Sequence, residues 1–216
     1  MSLLVINAHP DPHNPQSATF QMLAHLRSKL PASARELALY DTDIPALDAD
    51  LLAVMYKRLQ GSALNAKDQA IAARSAALLE PFMAATHLII ALPMHNFGIP
   101  SRLKDYLDNL IIPGTTFVHD DNGAPHGLLT RHKAWILQAS GGSYREGSPI
   151  AAMEHTIPFL RTALGFIGIR DLRVTRADNT TEGEAAFARA VADACADIDR
   201  QWQDFLGHAS EAGHGH

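Results

Sequence analysis

The segment LLVINAHPDPHNPQSATF, residues 3–20, decides the fold class. It opens with a run at 3–8 that is apolar at every position but Asn7, has the length of one strand and shows none of the alternation expected if one face met water. Three prolines stiffen the link that follows, and Ser17 is a plausible N-cap for a helix. A buried strand that leads through a short loop into a helix is the first unit of a parallel α/β sheet.

The same alternation continues along the chain. Apolar runs at 88–92, 134–139 and 167–174, with a weaker run at 35–40, predict four more strands. Helical patterns occupy 17–30, 66–84, 101–110, 149–164 and 182–206, and a turn or hairpin is expected at Asp121-Asn122-Gly123. We therefore predict a doubly wound, five-stranded parallel sheet with helices on both faces, in one domain at 1–206 with a flexible tail at 207–216.

Composition narrows the function classes. With 47% hydrophobic and 19% charged residues, the 216-residue chain is typical of a globular protein. A net charge of -5 gives no basic surplus for nucleic acid. We expect a cytoplasmic protein without a membrane partner, because no run approaches about 20 apolar residues. Cys195 is expected to pack in a helix rather than to act as a nucleophile.

Ligands of open parallel sheets bind beyond the carboxyl ends of the strands, so three segments matter most: 9–17, 93–100 and 140–147. The first ends on a helix N-terminus, where free N–H groups favour an anion, and Gln16 and Ser17 add side-chain donors. It matches neither the P-loop nor the glycine-rich dinucleotide motif. The alternative is that Ser17 is only an N-cap.

The second and third segments suit a flat heterocycle. Two prolines bracket the second segment, in which Met94 and Phe97 could cover apolar surface, although both could equally be core residues. In the third, Gly141 and Gly142 are expected to take positive φ and to let the backbone approach a ligand, although a tight turn would also use them.

These segments resemble the FMN-dependent NADH-azoreductase family, which is related to the NAD(P)H:quinone oxidoreductases and has a flavodoxin-like fold. PMHNF at 93–97 is similar to the family's Met-Tyr-Asn-Phe, PQS at 15–17 to its Ser-Gln-Ser, and Gly141-Gly142 to the end of its Ser-Arg-Gly-Gly. LGFIGI at 164–169 is the other specific stretch. The resemblance implies ping-pong two-electron transfer from NADH or NADPH, through bound FMN, to small aromatic acceptors such as quinones and azo compounds. It also implies a homodimer with its active site at the subunit interface.

By position, the resemblance assigns residues to this site. His119 and Phe166 would wall the substrate cavity, no metal ligand is implied, and no side chain need be a nucleophile because the flavin is the reactive group. His95 and His119 are candidate proton donors. The residues assigned to FMN are His9, Pro15, Gln16, Ser17, Pro93, Met94, His95, Asn96, Phe97, Ala139, Ser140, Gly141 and Gly142.

The chain departs from the family at His9, where serine is usual, at His95 and His119, where tyrosine is usual, and at Ala139-Ser140, which replaces Ser-Arg. The lost arginine leaves the choice between NADH and NADPH open. The three histidines suggest a pH-sensitive rate.

Two rival functions remain at this stage. A flavodoxin-like electron carrier would share the fold without being an enzyme. A zinc-dependent N-deacetylase would use His9 and Asp11, but Pro12 stands where its second aspartate belongs and no His-x-x-His follows.

Overall fold

A computed structural model describes residues 2–207. Its elements alternate between strand and helix, as the sequence predicts. The strands are β1 (Leu3–Asn7), β2 (Arg35–Ala38), β3 (His87–Pro93), β4 (Phe117–His119), β5 (Pro125–Gly127), β6 (Lys133–Ala139) and β7 (Asp171–Ala177). The helices are α1 (Ala18–Arg27), α2 (Ala49–Leu59), α3 (Ala66–Ala84), α4 (Ser101–Asp108), α5 (Thr156–Phe166) and α6 (Glu184–Phe205).

Five parallel strands form the central sheet in the order β2-β1-β3-β6-β7, which confirms the predicted doubly wound architecture. The order reverses between β1 and β3, because the chain first builds outward to β2 and then returns to the other side of β1. That reversal opens a crevice at the carboxyl ends of β1 and β3, where ligands of such sheets bind.

The sheet is buried on both faces. In β1, Leu4 and Ile6 pack into one hydrophobic cluster and Leu3 and Val5 into the other. Successive strand side chains point to opposite faces, so a strand covered by helices on both sides is apolar on both faces. This explains the four consecutive apolar residues at 3–6, after which Asn7 ends the strand.

The last predicted strand is placed too early. The prediction at 167–174 is wrong in its first half, because Ile167 and Ile169 are buried in the connection before β7 rather than in the sheet. Gly168, at φ 105°, turns the chain there. A Cβ on Gly127 would lie 2.0 Å from the Gly168 nitrogen, so the β4–β5 hairpin packs directly on this turn.

The predicted helix at 149–164 is also shifted. A single 3₁₀ turn spans Ala151–Met153, and α5 begins at Thr156. Glu154 accepts hydrogen bonds from the N–H groups of Thr156 (2.9 Å) and Ile157 (3.0 Å), which fixes the start of the helix.

Two long connections lie outside the sheet. The one between β2 and α3 contains a short helix, α2, and the one between α4 and β6 contains the antiparallel pair β4–β5, which turns at Gly123 (φ 80°) as the predicted hairpin requires. No helix within residues 2–207 combines the length and the apolar character needed to cross a membrane. The predicted tail lies outside the described residues from 208 onward.

Candidate functional site

The three loops singled out from the sequence meet at one edge of the sheet. The Ala8 N–H donates to the Ala91 carbonyl (2.8 Å), and the Met94 N–H donates to the Ala139 carbonyl (2.7 Å). Backbone hydrogen bonds therefore join the loop after β1 to the end of β3, and the loop after β3 to the end of β6.

Asn7 holds the loop after β1 from inside the protein. Its side chain is 1% exposed, its Oδ1 accepts from the His9 N–H (3.1 Å), and its Nδ2 donates to the Pro12 carbonyl (3.4 Å). Sequence reasoning missed this residue because it reads as the last position of a strand. A polar residue that ends an otherwise apolar strand was the available signal.

The N-terminus of α1 presents unpaired donors. Ser17 is the N-cap, since its Oγ accepts from the Phe20 N–H (3.1 Å) and lies 3.1 Å from the Asn14 carbonyl. In the part of the chain that is described, the N–H groups of Ala18 and Thr19 have no acceptor. Gln16 and Pro15 are exposed beside them. Free N–H groups at the positive end of a helix dipole form an anion-binding site, hereafter the anion seat. Capping by Ser17 and anion binding are therefore compatible.

The loop after β3 has an unusual backbone. His95 and Gly98 exchange two backbone hydrogen bonds of 3.0 Å, and between them Asn96 and Phe97 have φ values of 46° and 70°. Asparagine tolerates this region, but for a bulky residue it is a strained conformation. Phe97 is 42% exposed, so it is not the core residue that the alternative interpretation required.

Two residues outside the predicted set support the strained loop. The Tyr144 ring meets the Phe97 ring edge-on at 6.4 Å, and the His155 N–H donates to the Phe97 carbonyl (3.1 Å). Both contacts join positions far apart in the chain, and neither has a local sequence signal. Met94 is half-buried and Pro93 ends β3 at the base of the loop.

The loop after β6 is held by polar contacts within the protein. The Ser140 Oγ lies 2.9 Å from the Gly142 carbonyl and 3.1 Å from the Asp178 Oδ1. Neither Gly141 nor Gly142 has positive φ, so that expectation was wrong. A Cβ on Gly141 would lie 3.0 Å from the Thr181 Oγ1, and this crowding by the chain itself explains the glycine.

The histidine assigned to the cofactor sits next to a second one. Burial lowers the pKa of His9 below its ordinary value; a hydrogen bond to the Asp11 backbone opposes this shift, and the neighbouring His95 reinforces it. The His9 Nδ1 lies 3.0 Å from the Asp11 nitrogen, so the neutral ring can accept that N–H. Within residues 2–207, no group of three His, Cys, Asp or Glu side chains is placed to hold a metal ion, and Asp11 is exposed.

The two residues assigned to the substrate cavity meet through a third. The Phe117 ring lies 4.6 Å from the Phe166 ring and 5.4 Å from the His119 ring. Among residues 2–207, no hydrogen bond or ring contact connects this aromatic cluster to the loop after β3. Within one chain, the loops that carry the predicted cofactor residues form one group, and the predicted substrate residues His119 and Phe166 form another.

Comparison with known proteins identifies the family of the chain. A family model described as a flavodoxin-like fold matches residues 1–201. An FMN-dependent NADH:quinone oxidoreductase of Azospirillum brasilense is 35% identical over 205 residues, covering 92% of this chain and 96% of that protein. FMN-dependent NADH:quinone oxidoreductase 1 of Bacillus cereus (strain ZK) is 32% identical over 183 residues, covering 82% of this chain and 86% of that protein.

Among solved structures, the chain is similar to the FMN-dependent NADH-azoreductase from Bacillus anthracis str. Ames Ancestor, crystallised in complex with FMN. The TM-score is 0.81 at 29% identity, and the match covers 92% of this chain and 98% of that one. The chain belongs to the flavodoxin-like family of FMN-dependent NADH:quinone oxidoreductases and azoreductases, which confirms the resemblance seen in its motifs.

Proposed function

We propose that the chain is an FMN-dependent oxidoreductase that passes two electrons from NADH or NADPH to quinones and reductively cleaves aromatic azo compounds. The observation that carries this proposal is the pairing of an anion seat with a strained aromatic loop at the switch point of the sheet. An anion seat fits a phosphate monoester, and an exposed aromatic loop fits a flat ring.

The phosphate of FMN would be held by the N-terminus of α1. The unpaired N–H groups of Ala18 and Thr19, with the side chains of Gln16 and Ser17, offer donors to its oxygens. A neutral His9 would not neutralise the charge of the phosphate, but its ring offers one further nitrogen for a hydrogen bond.

The ring would lie against the loops after β3 and β6. Bound FMN supplies the two-electron redox chemistry. The chain offers the Phe97 and Met94 side chains as apolar surface, and the backbone N–H groups of Asn96 and Phe97, which have no acceptor among residues 2–207, as donors to the polar rim. Ala139, Ser140, Gly141 and Gly142 would close on the ring's edge.

Protons for the acceptor would come from histidine. His95 and His119 are exposed, and an imidazole ring can donate a proton through one of its nitrogens, which suits proton transfer to a leaving oxygen or nitrogen. His95 belongs to the loop after β3, whereas His119 belongs to the aromatic cluster.

A homodimer with an active site shared between subunits is part of the proposal. The aromatic cluster of Phe117, His119 and Phe166 has no hydrogen bond or ring contact with the loop after β3 among residues 2–207, which supports a site that a second copy completes. Exposed apolar side chains on α2 and β4–β5, among them Tyr56, Leu59 and Val118, offer surface for such an interface. We also place the enzyme in the cytoplasm, where its nicotinamide donors are found.

Steady-state kinetics test the proposal against the electron-carrier alternative. The FMN-loaded protein should oxidise NADH or NADPH rapidly once a quinone is present, and double-reciprocal plots at several quinone concentrations should be parallel. A protein that binds FMN but oxidises neither donor would be a carrier. Light scattering should give twice the mass of one chain.

A further inference from the structure

A polar groove lies outside the three cofactor loops, on the far side of the loop after β6. It runs along the free edge of β7, between α5 and α6, and has a volume of about 660 Å³. Four arginines line it, Arg145, Arg161, Arg176 and Arg200, against two carboxylates, Asp193 and Asp197. Arg145 is paired with Asp178 and Arg200 with Asp197, so the arginines whose charges are least compensated are Arg161 and Arg176.

The two carboxylates that line the groove form no ion pair with Arg161 or Arg176 among the described residues. Asp197 is already engaged, since it accepts from the Thr175 Oγ1 (2.5 Å), the Arg200 Nη2 (2.7 Å) and the Gln201 Nε2 (2.7 Å). On the opposite wall, Arg161 has no carboxylate within 4.0 Å in the described part of the chain.

Arg176 adds an unsatisfied donor. Its Nε is buried and has no hydrogen-bond acceptor. Its nearest carboxylate, Glu154, is 3.7 Å from the Nη2, and that carboxylate is committed to the N–H groups of Thr156 and Ile157. A buried guanidinium donor without a partner is unfavourable, and a bound anion would satisfy it.

We propose that this groove binds a phosphate group carried by a small molecule. Guanidinium groups present paired donors that match phosphate oxygens, and a phosphate dianion matches two arginines that lack a committed carboxylate. Arg161 from α5 and Arg176 from β7 would hold the phosphate between them, with Arg200 at the rim.

The phosphate has two possible sources. Arg145 lines the groove and pairs with Asp178, the carboxylate that also lies 3.1 Å from the Ser140 Oγ in the loop after β6. The groove thus adjoins the cofactor loops, and, if the proposed function holds, the 2′-phosphate of NADPH could reach it. A separate phosphorylated molecule would use the same chemistry.

Calorimetric titration of the protein as purified tests the phosphate site without relying on flavin or activity. We expect 2′,5′-ADP to bind at least about tenfold more tightly than adenosine, which carries no phosphate, with an affinity that falls as salt rises. Arg161→Gln, an exposed position, should weaken 2′,5′-ADP binding about tenfold, and Arg176→Gln should do the same. Arg35→Gln is the matched control, since it removes an exposed arginine from β2, at the opposite edge of the sheet.

Equal affinity for 2′,5′-ADP and adenosine, no binding, or an unchanged affinity in both groove variants would overturn the site. In that case Arg176 only protects the free edge of β7 from pairing with another strand, and Arg161 is a solvated surface charge. If the site holds, a selective fall in kcat/KM with NADPH in Arg161→Gln identifies the donor's phosphate. Unchanged kinetics with weakened 2′,5′-ADP binding identifies a separate ligand. Failure of the proposed function is visible independently, as wild-type protein that takes up no FMN.

Discussion

The loops that follow β1 and β3 lie side by side at the carboxyl edge of the sheet, but their backbones are built in opposite ways. The loop after β1 is stiffened by three prolines and anchored from below by the buried Asn7. The loop after β3 is a two-residue turn in which a phenylalanine holds φ 70°. The loop after β1 is held by hydrogen bonds within the chain, whereas the backbone of the loop after β3 is strained.

The difference follows from what each loop is proposed to bind. A phosphate is held by N–H groups that a helix N-terminus already aligns, so the loop need only deliver the chain to the cap. A flat ring needs a projecting aromatic wall and outward N–H groups, and a left-handed turn provides both at a cost in strain. Substitutions in the two loops should therefore separate stability from FMN affinity in different ways.

The largest effect is expected from Ser17→Asp. Aspartate caps a helix as well as serine does, so the free energy of unfolding should change by less than about 0.5 kcal/mol. Its negative charge would oppose the phosphate, and FMN affinity should fall about a hundredfold, or about 2.7 kcal/mol. Fluorescence titration and urea denaturation measure the two quantities. Ser17→Asn is the neutral control, and equal affinity of both variants would argue against a phosphate at this helix.

Asn7→Ala should affect both properties. It removes the partner of the His9 N–H and of the Pro12 carbonyl, so unfolding should become easier by about 1–3 kcal/mol. FMN affinity should fall about tenfold because the loop no longer has one conformation. Asn122→Ala, at the exposed hairpin turn, should change neither. Full FMN affinity in Asn7→Ala would show that this anchor serves the fold alone.

Phe97→Gly should lower FMN affinity without lowering stability, whereas Asn7→Ala lowers both. Glycine adopts φ 70° without strain, and this gain of up to about 1 kcal/mol offsets the lost contact with Tyr144. The stability of the flavin-free protein should therefore stay within about 1 kcal/mol, while FMN affinity falls about tenfold through loss of the aromatic wall. A marked loss of stability would mean that Phe97 is a packing residue.

The smallest effect is expected on the pH dependence of the free energy of unfolding. Because burial lowers the pKa of His9 in the folded protein, the unfolded chain takes up the proton first as pH falls below about 6.5, and stability is lost in that range. Above about pH 6.5 the residue is neutral in both states and contributes nothing. His87 and His132, whose pKa values burial also lowers, act in the same direction. His9→Gln should make the decline between about pH 6.5 and 5 shallower; an unchanged slope would contradict this.

Most of the fold could be predicted from the sequence because the signals for its strands, helices and turns are local. The apolar run at 3–8, the Ser17 cap and the turn at Asn122-Gly123 each specify a short piece of backbone, and the five-stranded sheet follows from their order. The last strand was predicted too early, at 167–174, because a buried turn beneath a hairpin is as apolar as a strand. Only the close approach of Gly127 to Gly168 distinguishes the two, and it is a contact between distant positions.

The site was predictable where the motif is contiguous. The loops at 9–17 and 93–97 meet as expected, but the supports from Asn7, Tyr144 and His155 depend on how the chain folds back. The assignment of individual residues to FMN stays a prediction. Gly141 shows the limit most clearly, because the space that its missing Cβ leaves is used by Thr181.

The most direct test of FMN binding at these loops is the visible spectrum of the purified protein after FMN is added and the excess is removed. We predict flavin bands that bleach when NADH or NADPH is added under nitrogen and return when a quinone is supplied. A colourless protein that retains no flavin would contradict the site and the function together.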